Sequence, residues 1–417
     1  MITHPAFGVT MAVCLGLSLP GLRAADVSAK RPPLTIPVSL ANQPAGAIAC
    51  QVTPGPAVPV NALAFSPDGK TLAVGGYQEV LLWDLSGAKL ARRIAAGGQV
   101  GAVVFLKDGK TLVVGEGDPG SAGAVRFLDV QTGQETFHSD DLKDVVRSLA
   151  LSPDGTLLAA GGAGVLGYVW NVAEKKLATT IQGHTDRILH VSFSPDGKFL
   201  ATAGADSTAH VWKVGAWTSV AKFTEAQAIH GAAFFPDGIQ VLLAIGGPQT
   251  SGLRLRKIDT PPFRRPIGIG DVLPLGMVGP TKAGRVYIPC SDKTVKVVDV
   301  RTAAVSATLG GHQDWVYAVA LSADETLLAS AAADGTVNLW SSQKHRLLAT
   351  LVQLAPRTDT WLIVTPPGYL ATSSPAALRW KAETASLPLD RLTARLQNSA
   401  LVGKVIAGEK VKPPVLK

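Results

Sequence analysis

Phe193-Ser194-Pro195-Asp196-Gly197 lies between two runs of alternating apolar residues, Ile188 to Phe193 and Phe199 to Ala203. Asp-Gly between such runs marks a tight hairpin, because glycine takes positive φ without a Cβ clash. The phrase recurs as Phe65-Ser66-Pro67-Asp68-Gly69, Phe105-Leu106-Lys107-Asp108-Gly109, Leu151-Ser152-Pro153-Asp154-Gly155 and Phe234-Phe235-Pro236-Asp237-Gly238. Weaker forms follow at Lys282-Ala283-Gly284, Leu321-Ser322-Ala323-Asp324-Glu325 and Val364-Thr365-Pro366-Pro367-Gly368. The turn positions 69, 109, 155, 197, 238, 284, 325 and 368 stand 40 to 46 residues apart.

Around each turn the pattern repeats. An alternating apolar strand precedes it and a second follows, as in Leu72-Ala73-Val74 and Leu200-Ala201-Thr202-Ala203. A third ends in an aromatic or aliphatic pair: Leu82-Trp83, Phe127-Leu128, Val169-Trp170, Val211-Trp212 and Leu339-Trp340. A fourth closes the unit, as in Lys89 to Ile94. Four strands per ~42 residues is the period of a β-propeller blade. The composition agrees: 47% hydrophobic, 17% charged, with 43 Gly and 28 Pro in 417 residues. Ordinary domains carry about 25% charged residues. Strands packed between neighbouring sheets favour small apolar side chains, and every unit needs its own Gly or Pro turn. Disorder and a long coiled coil are both excluded by this composition.

Two copies carry more. Gly183-His184 is followed by Thr202, Asp206 and Trp212, and Gly311-His312 by Ser330, Asp334 and Trp340. On these residues the chain resembles the WD-repeat β-propeller family, of the exported bacterial type. In that family His, Ser/Thr, Asp and Trp form a structural hydrogen-bond network. The resemblance implies that role for His184, Thr202, Asp206 and Trp212, and for His312, Ser330, Asp334 and Trp340. Copies one and three keep Trp83 and Trp170 but lack the His.

The fold class is therefore all-β, a single propeller of four-stranded blades. Eight blades are preferred, closed by residues 46–53 joining 361–381; seven blades with a flanking hairpin is the alternative. Leu389 to Leu396 has helical spacing, so a short helix and a basic tail are expected after the propeller. The organisation reads as a signal peptide over 1–24, a linker over 25–44, the propeller over 45–381, and the helix and tail over 382–417.

The apolar run Phe7 to Leu22, followed by Arg23-Ala24-Ala25, reads as a secretory signal. This predicts an exported protein, periplasmic or extracellular, with no membrane span after cleavage. Cys14 falls inside the signal, which leaves Cys50 and Cys290; this is no disulfide framework, and the two read as buried free thiols, with a Cys50–Cys290 bridge in an oxidising compartment as the alternative. The net charge is +8. Its densest cluster, Arg254, Arg256, Lys257, Arg264 and Arg265, alternates with Leu253 and Leu255 as on a solvated strand face. No nucleic-acid partner is expected.

For function, the resemblance implies an interaction scaffold that grips a protein partner on the narrow face, around the central channel. The contact positions flank the first apolar residue of each inner strand: Asn61, Gln99, Arg147, Arg187, His230, Trp315 and Tyr317. Aromatic and Arg side chains are favoured at interface hot spots. A non-catalytic monomer with no cofactor and no metal is expected. The alternative is a propeller enzyme or redox protein of the cell envelope. His190 and His230, which begin adjacent inner strands, could approach the axis in such an enzyme, but they have no carboxylate companion at matching positions.

Overall fold

The computed structural model describes residues 34–38, 48–52, 58–118, 120, 122–142, 144–247, 251–259, 266–382 and 392–414. The segment read as a signal lies outside them. All eight repeat turns fall where the spacing places them. The seven glycines at these positions have φ between 64° and 95°, and Glu325 takes φ 58°. In four turns the serine two residues before the Asp does double service. Ser66 Oγ donates to Asp68 Oδ1 at 2.6 Å and accepts from Thr71 N at 2.9 Å. Ser152, Ser194 and Ser322 do the same. Each turn thus ties its carboxylate to the strand that leaves it.

Seven antiparallel units follow one another along the chain. Unit one comprises Ala62–Phe65, Thr71–Gly75, Tyr77–Asp84 and the first part of the 17-residue strand Lys89–Phe105. That strand runs on to become the inner strand of unit two, ahead of Thr111–Asp118, Ala122–Asp129 and Glu135–Leu142. Units three and four are regular four-stranded sheets, Val146–Ile181 and Ile188–Thr224. Unit five has three strands between Ile229 and Lys257, and a single bridge from Leu253 to Ile267 supplies its outer edge. Unit six has three strands between Arg285 and Leu309; its inner position is filled by residues 274–278, bridged at Pro274–Cys290 and Val278–Tyr287. Pro274, Gly276 and Pro280 interrupt alternation there, so this edge forms bridges rather than a ladder. Unit seven comprises Val316–Leu321, Leu327–Ala332, Thr336–Ser341 and Arg346–Gln353.

The inner strand of unit seven packs on that of unit one, and Val60 N donates to Ala332 O at 3.3 Å. Val60, Leu72, Val74, Leu81 and Trp83 share one apolar cluster with Ala329, Ala331, Val337, Leu339 and Leu351. The ring therefore closes between units one and seven. This corrects the eight-blade expectation. Residues 48–52 do pair with 378–382, in register Cys50 to Trp380, but that sheet stands outside the ring. The hairpin Trp361–Val364 and Leu370–Thr372 extends the outer strand of unit seven instead, pairing Thr350 with Val364. Unit seven already owns four contiguous strands, so no terminal strand is needed to complete it.

The chain ends form a second layer. Leu34–Val38, inside the stretch read as a linker, is a strand that pairs with Ile48–Val52. Leu34, Ile36, Cys50 and Val52 pack on Leu362, Val364 and Leu370, together with Leu392 and Leu396 of the short helix Leu392–Leu396. The C-terminal helix Ser399–Ile406, capped by Asn398 Oδ1 accepting from Leu401 N at 3.0 Å, lies across the seam. Its Val402 and Ile406 join the cluster that holds Trp83 of unit one and Leu348 of unit seven. The following residues are anchored too: Arg346 Nη2 donates to Gly408 O at 3.0 Å and Tyr369 Oη to Lys412 O at 3.2 Å. Cys50 and Cys290 are free and buried, and burial pushes both thiols up to about 12.

Candidate functional site

In each unit the inner strand starts at the same end of the ring. In five units the pairing shifts by one residue there, at Val100/Ala102, Val146/Ser148, Ile188/His190, Ile229/Gly231 and Val316/Ala318. Such a bulge leaves one residue out of the ladder and bends the strand. The extra residues are Gly101, Arg147, Leu189, His230 and Tyr317. Asn61 holds the equivalent place in unit one, where its N–H shares Gly75 O with the start of the ladder at 3.0 Å. Gln99, Arg187 and Trp315 stand two residues earlier.

These seven positions thus gather at one end of the ring, with different exposures. Asn61, Arg147, Arg187, Trp315 and Tyr317 are half-buried, while Gln99 and His230 are buried. Trp315 is fixed through its backbone: its N–H donates to Asp314 Oδ1 at 2.9 Å and its carbonyl accepts from Ala333 N at 2.9 Å. Arg187 Nε donates to Asp186 Oδ1 at 3.3 Å. His230 is held neutral. Burial pulls its pKa down to about 4, and the Arg187 charge acts in the same direction against a backbone bond at Gly246. His190 Nδ1 accepts from Ala232 N at 3.4 Å, and no group of three or more His, Cys, Asp or Glu that could hold a metal ion occurs among the described residues. Burial takes His190 to about 4 as well.

The two networks are laid out as follows. His184 Nδ1 lies 3.0 Å from Asp206 Oδ2 and its Nε2 lies 2.8 Å from Thr202 Oγ1, which also accepts from Trp212 Nε1 at 3.0 Å. Asp206 further accepts from Thr185 N and Thr208 Oγ1. In unit seven His312 Nε2 lies 2.7 Å from Ser330 Oγ, which accepts from Trp340 Nε1 at 2.8 Å. His312 Nδ1 meets Thr336 Oγ1 at 3.0 Å and Asp334 Oδ2 at 3.5 Å. Both sets join the loop before an inner strand to the second and third strands of the same unit, and are committed to the scaffold.

Units one and three show what the hydroxyl does. At the position of Thr202 and Ser330 they carry Val74 and Ala160. Correspondingly, the buried indole N–H groups of Trp83 and Trp170 have no acceptor among the described residues. The basic cluster resolves into local contacts: Arg256 is ion-paired with Glu225, and Lys257 with Asp259 at 3.5 Å. Arg264 and Arg265 lie outside the described residues.

Sequence reasoning passed over Glu79. It is buried at 2% exposure on the third strand of unit one, facing unit seven. The signal was present as one acidic residue in the otherwise apolar alternation Glu79-Leu81-Trp83.

Four segments, residues 49–84, 133–165, 175–213 and 304–341, match the family described as WD domain, G-beta repeat. Two of them, 175–213 and 304–341, begin on or just before the outer strand of one unit and end on the third strand of the next, whereas 133–165 begins just before the outer strand of unit two and stops ahead of the third strand Gly167–Asn171 of unit three. In 49–84 the outer-strand position is taken by Ile48–Val52, which pairs outside the ring. No curated protein matches the chain. No helix among the described residues is long and apolar enough to cross a membrane.

Proposed function

We propose that this chain, a member of the WD-repeat family, is a non-catalytic interaction scaffold that holds a protein partner at the channel end where the inner strands begin. WD repeats generally mediate protein–protein interaction. The observation that carries the placement is the recurrent bulge. It sets Arg147, His230 and Tyr317 at equivalent positions at one end of the ring, beside half-buried Trp315 and Arg187. Aromatic side chains on rigid strands lose little entropy on binding and supply large contact area, and Arg is likewise favoured at interface hot spots. The apolar run Phe7 to Leu22 supports export, so the partner is sought in the cell envelope or outside the cell.

The test is affinity capture from an envelope extract with partner identification, comparing wild type with Trp315→Ala and Tyr317→Ala. Both variants are expected to keep the wild-type melting temperature and to lose the captured protein. Identical capture by all three would overturn the placement. Export is tested by N-terminal sequencing of the mature protein; a chain that begins at Met1 in the cytoplasmic fraction contradicts it.

A further inference from the structure

The seam between units one and seven encloses a cavity of about 30 Å³. A single water fills about 10–15 Å³ on this scale, so the space suits a water-sized group with one neighbour. Its walls are largely aliphatic, with Val60, Val74 and Leu81 facing Val337 and Leu351. Two polar groups in this lining, Glu79 Oε2 and Trp83 Nε1, have no hydrogen-bond partner among the described residues.

Glu79 is the anomaly. Its Oε1 accepts only a 3.3 Å bond from Arg357 N, and the Arg357 guanidinium turns instead to Gln78 Oε1. Asp334, also in the lining, is already committed to Gln313 and Thr336. A carboxylate this deeply buried is costly unless a cation and further hydrogen bonds compensate it. No salt bridge reaches Glu79 among the described residues. The undescribed stretches adjoining the mouth in sequence, 39–47 and 53–57, contain no Lys or Arg. Among the described residues, therefore, no cation is paired with Glu79.

We propose that the seam cavity is a binding site for a primary ammonium group on a short aliphatic stem, with the head on Glu79 Oε2 and the stem along the aliphatic walls. An ammonium head is about the size of a water molecule, which the cavity volume accommodates. The lining includes Gly76 and Asp334–Gly335, which lie in the turns Gly75–Tyr77 and Ala332–Thr336 at the end of the ring where the inner strands start. A lysine of a bound partner segment and a free alkylamine share this chemistry. The site uses none of the seven channel-end residues, so its failure and the failure of the scaffold reading are separable.

The probe is n-butylammonium chloride titrated into the full chain, with the Trp83 indole N–H resonance as readout, assigned by its absence in Trp83→Phe. A saturable shift is expected in wild type, with none from sodium chloride or n-butanol at equal concentration. Glu79→Gln should abolish the shift, and Glu79→Asp, which withdraws the carboxylate by one methylene, should weaken it several-fold. Thermal melts establish that both variants are folded; should Glu79→Gln fail to fold, the Glu79→Asp titration and a crystal soaked in the probe decide instead. Tighter binding of N-acetyl-lysine methylamide than of n-butylammonium identifies a partner's lysine as the source, and the reverse order a free amine. No saturable shift in wild type, an equal shift in folded Glu79→Gln, or a soaked crystal with only water on Oε2 would each overturn the proposal.

Discussion

Replacing Asp334 by alanine removes one carboxylate and strands several donors. Gln313 N donates to it at 2.6 Å, Thr336 N at 2.9 Å and Thr336 Oγ1 at 2.7 Å, with His312 Nδ1 at 3.5 Å. Burial would by itself raise this carboxyl's pKa, but the bonds and charge of His312, with Gln313 and Thr336, hold it below the usual range. The charged form is therefore the one the fold uses. Bonds to a charged group contribute about 1.5–3 kcal/mol each, and stranded donors near the surface recover part of this from water. We expect a net loss of about 3 kcal/mol. With an unfolding entropy of about 2.1 cal/mol/K per residue over a ring of roughly 300 residues, this is a fall of about 5 °C. Asp314→Ala is the internal control, because Asp314 bonds only the Trp315 N–H at the loop surface, and it should cost under about 1 kcal/mol. The assay is a calorimetric melt of wild type and both variants. An Asp334→Ala melt within about 1 °C of wild type would refute the reasoning that places this residue at the centre of a buried network.

Three further outcomes are expected. Val402→Asp puts an unpaired carboxylate into the cluster shared by units one and seven, which should cost about 3 kcal/mol and release the C-terminal helix, seen as first proteolytic cleavage within residues 392–414. Glu325→Gly relieves the only non-glycine among the eight repeat turns, at φ 58°, and should change stability by less than about 1 kcal/mol in the stabilising direction, because the lost Glu325–Lys282 bond and glycine's entropy offset the relief; a clear drop in the denaturation midpoint would contradict it. On acidification, stability should fall in two stages. His190, His210 and His230 are held neutral at about 4, below the ordinary 6.5, so the unfolded chain binds more protons and stability declines from pH 6.5 towards 4. The turn carboxylates, such as Asp154 at about 2, are depressed, so their contribution is present above 3.8 and is lost as pH falls towards 2. Chemical denaturation across pH 2–8 checks both stages, and constant stability from pH 7 to 4 would count against neutral buried histidines.

The repeat turns were readable because Asp-Gly needs no tertiary context, and Asp68, Asp154 and Asp196 do what a local reading says they do. The same local signal misled at Gly368. That turn has φ 95° and sits in register, yet its hairpin extends unit seven instead of starting an eighth unit. Alternation in Trp361 to Val364 specifies a buried strand without specifying which strand it meets. The partner is decided by the contact of unit seven with unit one, which spans the whole chain. Unit six hid its inner edge because Pro274 and Gly276 break the period. The channel-end residues were legible as positions, whereas their unequal burial, half-buried Trp315 beside buried Gln99, depends on neighbours from other units. Glu79 was passed over for the same reason: a single acid on an apolar strand becomes notable only once unit seven closes over it.

The ring closes directly between units one and seven, with the hairpin 361–372 and the helices Leu392–Leu396 and Ser399–Ile406 fastened outside. Val58 is half-buried and lines the seam cavity with Asp334, Gly335 and Val337. A photo-crosslinking benzoylphenylalanine placed at Val58 therefore reports which unit is its neighbour. Mass spectrometry of the irradiated protein should find the adduct on residues 334–337. An adduct confined to residues 361–372 would mean that the eighth hairpin enters the ring, and would contradict the account.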